Sequence, residues 1–346
     1  MKAVDEPSSA LPRELESAAG ALAWANGLLG SEGSFDGAEN AVGAYYLAPL
    51  AFANGGRIDR ANLICEYVRG RFFRDGDINE LADEPASQVA NFRNAFFGVS
   101  AHRVGVWDMA FAIADGLERC QHPQLGGFSN HNVDDASRVL DIGSSAAALI
   151  CLLTTGRIDA ARRTGDFICG QMIESQPEPE RRVLLRRTWD GDWITEFAES
   201  DAARHRIELG VSGQVYWFLG ITMSALGQLY IATGEDRYLR SARRVFGWAV
   251  DCHPGAFADL TAAKVGWGAS VLFAATGEEQ FAVRARYVSH VLCVTRLAEG
   301  VWLRRPAVTR LADQDVATSL DTTLERICWL IEMARNLQAR KAAPAA

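Results

Sequence analysis

The stretch "ATGEDRYLRSA", Ala232 to Ala242, joins an apolar run, "GITMSALGQLY", to an amphipathic one, "DRYLRSARRVFGWAV". A glycine after an apolar helix permits the left-handed conformation that ends it. The acid that follows lies in the first turn of the next helix, where the dipole favours it. The same pattern returns as "ANGGRIDRA" (Ala53 to Ala61), "TTGRIDAAR" (Thr154 to Arg162) and "ATGEEQFAVRA" (Ala275 to Ala285). The chain therefore repeats a helical hairpin, and a repeat of this length decides the fold before any motif does.

A second series closes the hairpins. It runs "SEGSFDG" with Phe35, "RDGDIN" with Ile78, "QLGGFSN" with Phe128, "WDGDWI" with Trp193, "HPGAFAD" with Phe257 and "LAEGVWL" with Trp302. Six closures predict twelve helices. Outer helices are expected near 13–29, 56–72, 104–121, 157–174, 236–251 and 279–297. Inner ones are expected near 39–54, 88–102, 140–154, 212–232, 260–275 and 318–338. The inner set is apolar nearly all round, as in "GSSAAALICLL" and "VGWGASVLFAA", which implies enclosure on every side. The outer set carries charge on one face. An inner ring inside an outer ring is an all-α, (α/α)6 toroid, a closed form of repeat stacking. The first helix then packs on the last. The toroid is expected to span 11–338 as one domain, with 1–10 and 339–346 as flexible termini.

The hairpin count, the "TGEDRYLRSA" turns and the "GGF" and "GVW" closures resemble the (α/α)6-toroid superfamily. Within it the chain is most similar to terpenoid cyclases and prenyltransferase β-subunits. Sugar-acting toroids share the same turns.

Composition narrows the classes. The chain has 346 residues, 49% hydrophobic and 23% charged, with a net charge of −8, which disfavours nucleic acid or an anionic membrane as partner. No apolar run reaches the roughly 18 residues that span a bilayer, and the N-terminal stretch lacks the apolar core of a signal peptide. Seven cysteines lie mostly in apolar helical stretches, which suits reduced thiols in a cytoplasmic protein. A small-molecule substrate is the expected partner, and a homodimer is left open.

Every closure leads into the N-terminus of an inner helix, so all six share one end of the toroid. That end gathers free N–H groups and positive dipole ends and is the expected mouth for a substrate. The first turns there hold Tyr45, Tyr46, Asn91, Arg93, Tyr216, Trp217, Lys264 and Trp267, with the acids Asp141 and Asp321. Aromatic walls with a few convergent polar groups make a pocket. Any one of these aromatics could equally fill the ring, and either acid could be a helix N-cap. The loop "TWDGDWITEFAES", Thr188 to Ser200, would lay Trp189 and Trp193 over the mouth, or pack down as a plug.

In "SNHNVDDAS", Ser129 to Ser137, the run Asn132-Val133-Asp134-Asp135 is similar to the acid motif of squalene-hopene-type cyclases. The resemblance implies Asp134 as the proton donor, the alternative being a helix-capping or solvated loop acid, and His131 beside it is either a mouth residue able to shuttle protons or an ordinary surface histidine. The first acid of that motif is asparagine here, and the chain has one toroid where those cyclases have two. Metal and nucleotide cofactors are not expected. "DCHPG", Asp251 to Gly255, has the wrong spacing for one zinc ion, and no Gly-rich nucleotide loop or HExxH pattern is present. The expected function is a metal-independent single-toroid cyclase or isomerase acting on a terpenoid- or polyketide-like substrate by acid–base chemistry. The alternatives are a carbohydrate-active toroid, either epimerase or glycoside hydrolase, and a non-catalytic binding scaffold.

Overall fold

The computed structural model describes residues 12–79, 89–131, 138–259, 261–304 and 308–339. The outer helices are α1 (Arg13–Gly27), α3 (Ile58–Arg71), α5 (Trp107–Cys120), α7 (Ile158–Asp166, continued as a π-helix over Phe167–Glu174), α10 (Asp236–Asp251) and α12 (Glu279–Thr295). The inner helices are α2 (Ala48–Asn54), α4 (Ala90–Val104), α6 (Ile142–Thr154), α9 (Trp217–Thr233), α11 (Ala262–Thr276) and α13 (Val316–Ala339). A short α8 (Ala202–His205) stands outside both rings.

The inner helices touch in the order α2, α4, α6, α9, α11, α13 and back to α2, and α1 packs on α13. The toroid is therefore closed, as the pairing of first and last helices requires. Inner helices α4, α9 and α11 end on Gly105, Gly234 and Gly277, all with positive φ.

The closures carry two devices. In the first, a glycine with positive φ seats against the backbone of the next outer helix. A Cβ on Gly33 would meet the Leu63 carbonyl oxygen of α3 at 2.3 Å, and one on Gly300 would meet the Gly20 oxygen of α1 at 2.8 Å. Gly76 and Gly126 repeat this on α5 and α7. In the second, the backbone N–H of the closure's apolar residue donates to a side-chain oxygen of the neighbouring inner-ring segment. Phe35 donates to the Tyr45 hydroxyl at 2.9 Å, Ile78 to Asn94 Oδ1 at 3.0 Å, Phe128 to Ser145 Oγ at 2.9 Å and Trp302 to Thr323 Oγ1 at 3.4 Å. Burying Phe35, Ile78, Phe128 and Trp302 would strand those N–H groups without such partners.

Two expectations fail locally. The first inner segment is not one helix over 39–54. A 3-10 turn, Val42–Ala44, precedes α2, which starts only at Ala48 with Pro49 in its first turn, a residue with no N–H to extend the helix backwards. The fourth closure is replaced by an excursion with three short strands, which pair with one another and with a fourth strand that precedes α6. In chain order the four are β1 (Val139–Asp141), β2 (Arg182–Leu184), β3 (Arg186–Thr188) and β4 (Arg206–Glu208), paired antiparallel as β1 with β3 and β2 with β4. "WDGDWI" is the turn after β3, not the entry to an inner helix.

Candidate active site

A cavity of about 360 Å³ opens at the end of the toroid where the inner helices begin, within the range of roughly 300–1,000 Å³ for small-molecule sites. Its wall comes from the first turns of α4, α9 and α11 and the second and third turns of α13, with Tyr46 ahead of α2 and Arg304 from the sixth closure. α6 contributes nothing, because the Trp217 ring lies across its start. A Cβ on Gly143 would stand 2.9 Å from that ring.

α9 and α11 cross so closely that a Cβ on Gly220 would collide with the Lys264 backbone at 2.2 Å. This contact sets Trp217 and Lys264 side by side. Lys264 Nζ lies 5.4 Å from the Trp217 ring centre and 5.6 Å from that of Phe92, within range of a cation–π attraction. The same ammonium reaches Glu325 Oε1 at 2.6 Å. One turn earlier on α13, Asp321 Oδ2 accepts from the Arg304 guanidinium at 3.0 Å. Arg326, 4% exposed, donates to the Thr322 carbonyl at 2.8 Å.

The two acids are one helical turn apart, so both face the cavity, yet their surroundings push them in opposite directions. Burial, and next the Glu325 charge, hold the Asp321 carboxyl above the usual aspartate range. Burial raises Glu325 too, but Lys264 and then Arg326 outweigh it, so the net shift is downward. Tyr46 is pushed well up, first by burial and then by Asp321. Burial brings Arg326 down to about 10 against the pull of Glu325 and Asp321. Such a split separates a proton donor from a proton acceptor.

Of the residues expected at the mouth, Tyr46, Arg93, Trp217, Lys264 and Asp321 line this cavity. The others are placed elsewhere. Asp141, 3% exposed, caps α6. Its Oδ1 accepts from the Ser144 N–H at 2.8 Å and its Oδ2 pairs with Arg186 at 2.9 Å. The Tyr45 hydroxyl holds the first closure, with its ring stacked on Tyr67 at 5.2 Å. Asn91 ties α4 to the third closure through the Ser129 carbonyl at 2.9 Å. The Tyr216 hydroxyl donates to the Val211 carbonyl at 2.7 Å. Trp267 stacks on Trp329 at 4.0 Å, deeper in the ring, and borders a smaller cavity at the opposite end.

Trp189 and Trp193 do not line the mouth cavity. Trp189 packs on His122 at 4.5 Å and under the Arg138 guanidinium at 3.6 Å. Trp193 lies under Arg187 at 3.9 Å and donates its indole N–H to the Ser175 carbonyl. Both rings thus pack against other residues of the chain. His131 is 1% exposed, and its carbonyl accepts from the Ser129 hydroxyl. Asp134 lies outside the described residues.

Sequence reasoning passed over Arg304 and Arg326. The spacing of Asp321, Thr322, Glu325 and Arg326 in "TSLDTTLERI" marks one helix face and could have pointed to Arg326. Among the described residues, no three His, Cys, Asp or Glu side chains are placed to hold a metal ion. No helix of the described residues is long and apolar enough to cross a membrane.

No family model matches the chain, and no curated protein matches it. Solved structures do. D-mannose isomerase superposes with a TM-score of 0.69 at 12% identity, over 96% of this chain and 100% of that one. The GH76A α-1,6-mannanase from Salegentibacter sp. HEL1_6 gives 0.64 at 14% identity, over 93% and 99%. A variant of that mannanase with two consecutive aspartates changed to asparagine is described as inactive. An unsaturated glucuronyl hydrolase specific for heparin gives 0.64 at 11% identity, over 95% and 98%. At these identities the likeness is one of fold, and the fold it shows is the (α/α)6 toroid. The neighbours act on carbohydrates, which overturns the resemblance to terpenoid cyclases and the cyclase function drawn from it.

Proposed function

We propose that the chain is a carbohydrate-active enzyme that moves protons between neighbouring atoms of a sugar, as an isomerase or epimerase does. One observation carries the reading. Asp321 and Glu325 reach one cavity from a single helix face, with the first held toward its protonated form and the second toward its ionised form. An acid and a base on one wall, a turn apart, serve adjacent atoms of a ring or open chain laid against that wall. Hydrolysis asks for carboxyls flanking one bond.

In this reading Glu325 accepts the proton from the carbon next to a carbonyl. Lys264 and Arg304 offset the charge that develops on the oxygen. Asp321, with the Tyr46 hydroxyl beside it, returns a proton. Trp217 and Phe92 offer flat apolar faces to the sugar.

The test is incubation with mannose, fructose and glucose in deuterated water, followed by NMR. Proton abstraction next to a carbonyl introduces solvent deuterium at that carbon in the product. Product formed without any deuterium, or no turnover across a broad aldose and ketose panel, overturns the reading.

A second reading, hydrolysis, rests on a different observation. The inactive mannanase variant has lost two consecutive aspartates, and this chain has one such pair, Asp134–Asp135, outside the described residues. Release of reducing ends from α-1,6-mannooligosaccharides, abolished by Asp134→Asn with Asp135→Asn, would favour it over isomerisation.

A further inference from the structure

We propose that the far end of the toroid, where the inner helices end, holds a second binding site. Its ligand is a free one-ring aromatic molecule that carries a neutral hydrogen-bond donor, of the phenol kind. The site is separate from the chemistry of the mouth. A cavity of about 200 Å³ opens there. All six inner helices contribute to its wall, from Leu50 on α2 to Asn336 on α13, so it lies on the axis of the ring. Among the described residues, it shares no lining side chain with the mouth cavity.

The floor selects the ring. Trp267 stacks on Trp329 at 4.0 Å, and Phe96 meets Trp329 edge-on at 5.5 Å. All three are buried, and so are Val99, Ile150 and Val271 on the side walls. Flat aromatic faces favour an aromatic guest in offset or edge contact. An apolar void of about 150 Å³ takes one benzene molecule, so this cavity has room for a single ring with one substituent. The rim selects that substituent. The Gln228 amide N–H donates to Ser224 Oγ at 2.9 Å, and that of Asn336 donates to Ser270 Oγ at 3.0 Å. Among the described residues no donor reaches either amide oxygen, and both side chains are half-buried at the opening. Two such acceptors ask for a donor. Arg103 and Glu332 stand on the same rim with one charge of each sign, which disfavours both an ammonium and a carboxylate guest and leaves a neutral donor as the match.

The experiment is fluorine NMR of the full chain labelled with fluorotryptophan, titrated with phenol and with anisole, which keeps the ring and lacks the donor. The nine tryptophans are assigned by changing each to phenylalanine in turn. Phenol is expected to shift the Trp267 and Trp329 resonances saturably and to leave that of Trp217, at the mouth, in place. It should bind at least about threefold tighter than anisole, the scale of one neutral hydrogen bond. Thr154→Phe and Ala274→Phe fill the cavity from two different helices at half-exposed positions, and either should abolish the phenol shift in a chain whose thermal unfolding shows it folded. Trp267 and Trp329 unmoved by both probes overturns the site. A shift that survives both substitutions places the guest elsewhere and overturns it too. Anisole bound as tightly as phenol overturns the role given to the amide rim.

Discussion

Lys264 Nζ lies 2.6 Å from Glu325 Oε1, and the lysine side chain is 5% exposed while the glutamate keeps 20% toward the cavity. The pair links two inner helices, α11 and α13, at the point where both enter the site. Glu325→Gln leaves a buried ammonium without its counter-charge and should cost about 3 kcal/mol in urea unfolding. Adding Lys264→Met removes the stranded charge and should recover part of that loss. Glu325 has a lowered folded pKa, so its contribution is present above the usual glutamate range and is lost as pH falls through the lowered value. A double variant no more stable than Glu325→Gln would show that the pair is not what holds the two helices.

Asp321→Asn is expected to lower kcat by about 100-fold or more with a much smaller change in KM, the signature of a lost proton donor. The pH profile gives a second readout. Asp321 is raised, so the donor form is lost as pH climbs through that raised value. Glu325 is lowered, so the base form is lost as pH drops through its own. The unaltered chain should show both limbs, and Asp321→Asn should erase the alkaline one. Persistence of both limbs in the variant would assign the donor elsewhere.

Asp141 caps α6 and pairs with Arg186. Asparagine caps a helix about as well as aspartate, but Asp141→Asn also strips the counter-charge from Arg186, which is 5% exposed. The expected outcome is a stability loss of about 3 kcal/mol with kcat within about twofold of normal, measured well below the unfolding temperature. A folded, inactive Asp141→Asn would move the chemistry away from the mouth cavity.

Gly300→Ala and Gly33→Ala should each cost about 2 kcal/mol or more, since both positions combine a positive φ with backbone contact. Gly56→Ala, with positive φ but open space around it, should cost less. Equal losses in thermal unfolding at all three would mean that seating on the outer helix contributes nothing.

The fold was legible because its signals are local. A turn glycine with a following acid and a closure with a buried aromatic recur along the chain, and each speaks for a hairpin by itself. The excursion at the fourth closure was not, since strands of three residues leave no period to detect. The site was half legible. Polar residues in the opening turns of inner helices do two jobs, and sequence does not tell them apart. Asn94 and Ser145 dock the closures, as Tyr45 does from just ahead of α2, whereas Asp321 and Lys264 face the cavity. Helix rotation of a single residue decides between them. Thr322 and Thr323 make the point, the first on the cavity wall and the second holding Trp302. The cyclase reading failed for a different reason. An aromatic-lined mouth is common to many toroids whatever their substrate.

The seating of Gly300 on α1 also bears on how such a chain can change over generations. An open solenoid gains or loses a repeat at little cost, because its ends are free. Here the last closure must find the first outer helix, so a seventh hairpin would have no seat and a fifth-hairpin ring would leave one empty. Duplication and deletion of repeats are closed routes. What remains free to lengthen is the connection between an outer helix and the next inner one, as the excursion before α9 has done. New specificity in this architecture should therefore arise by growth of loops around a fixed mouth, with the number of hairpins held at six.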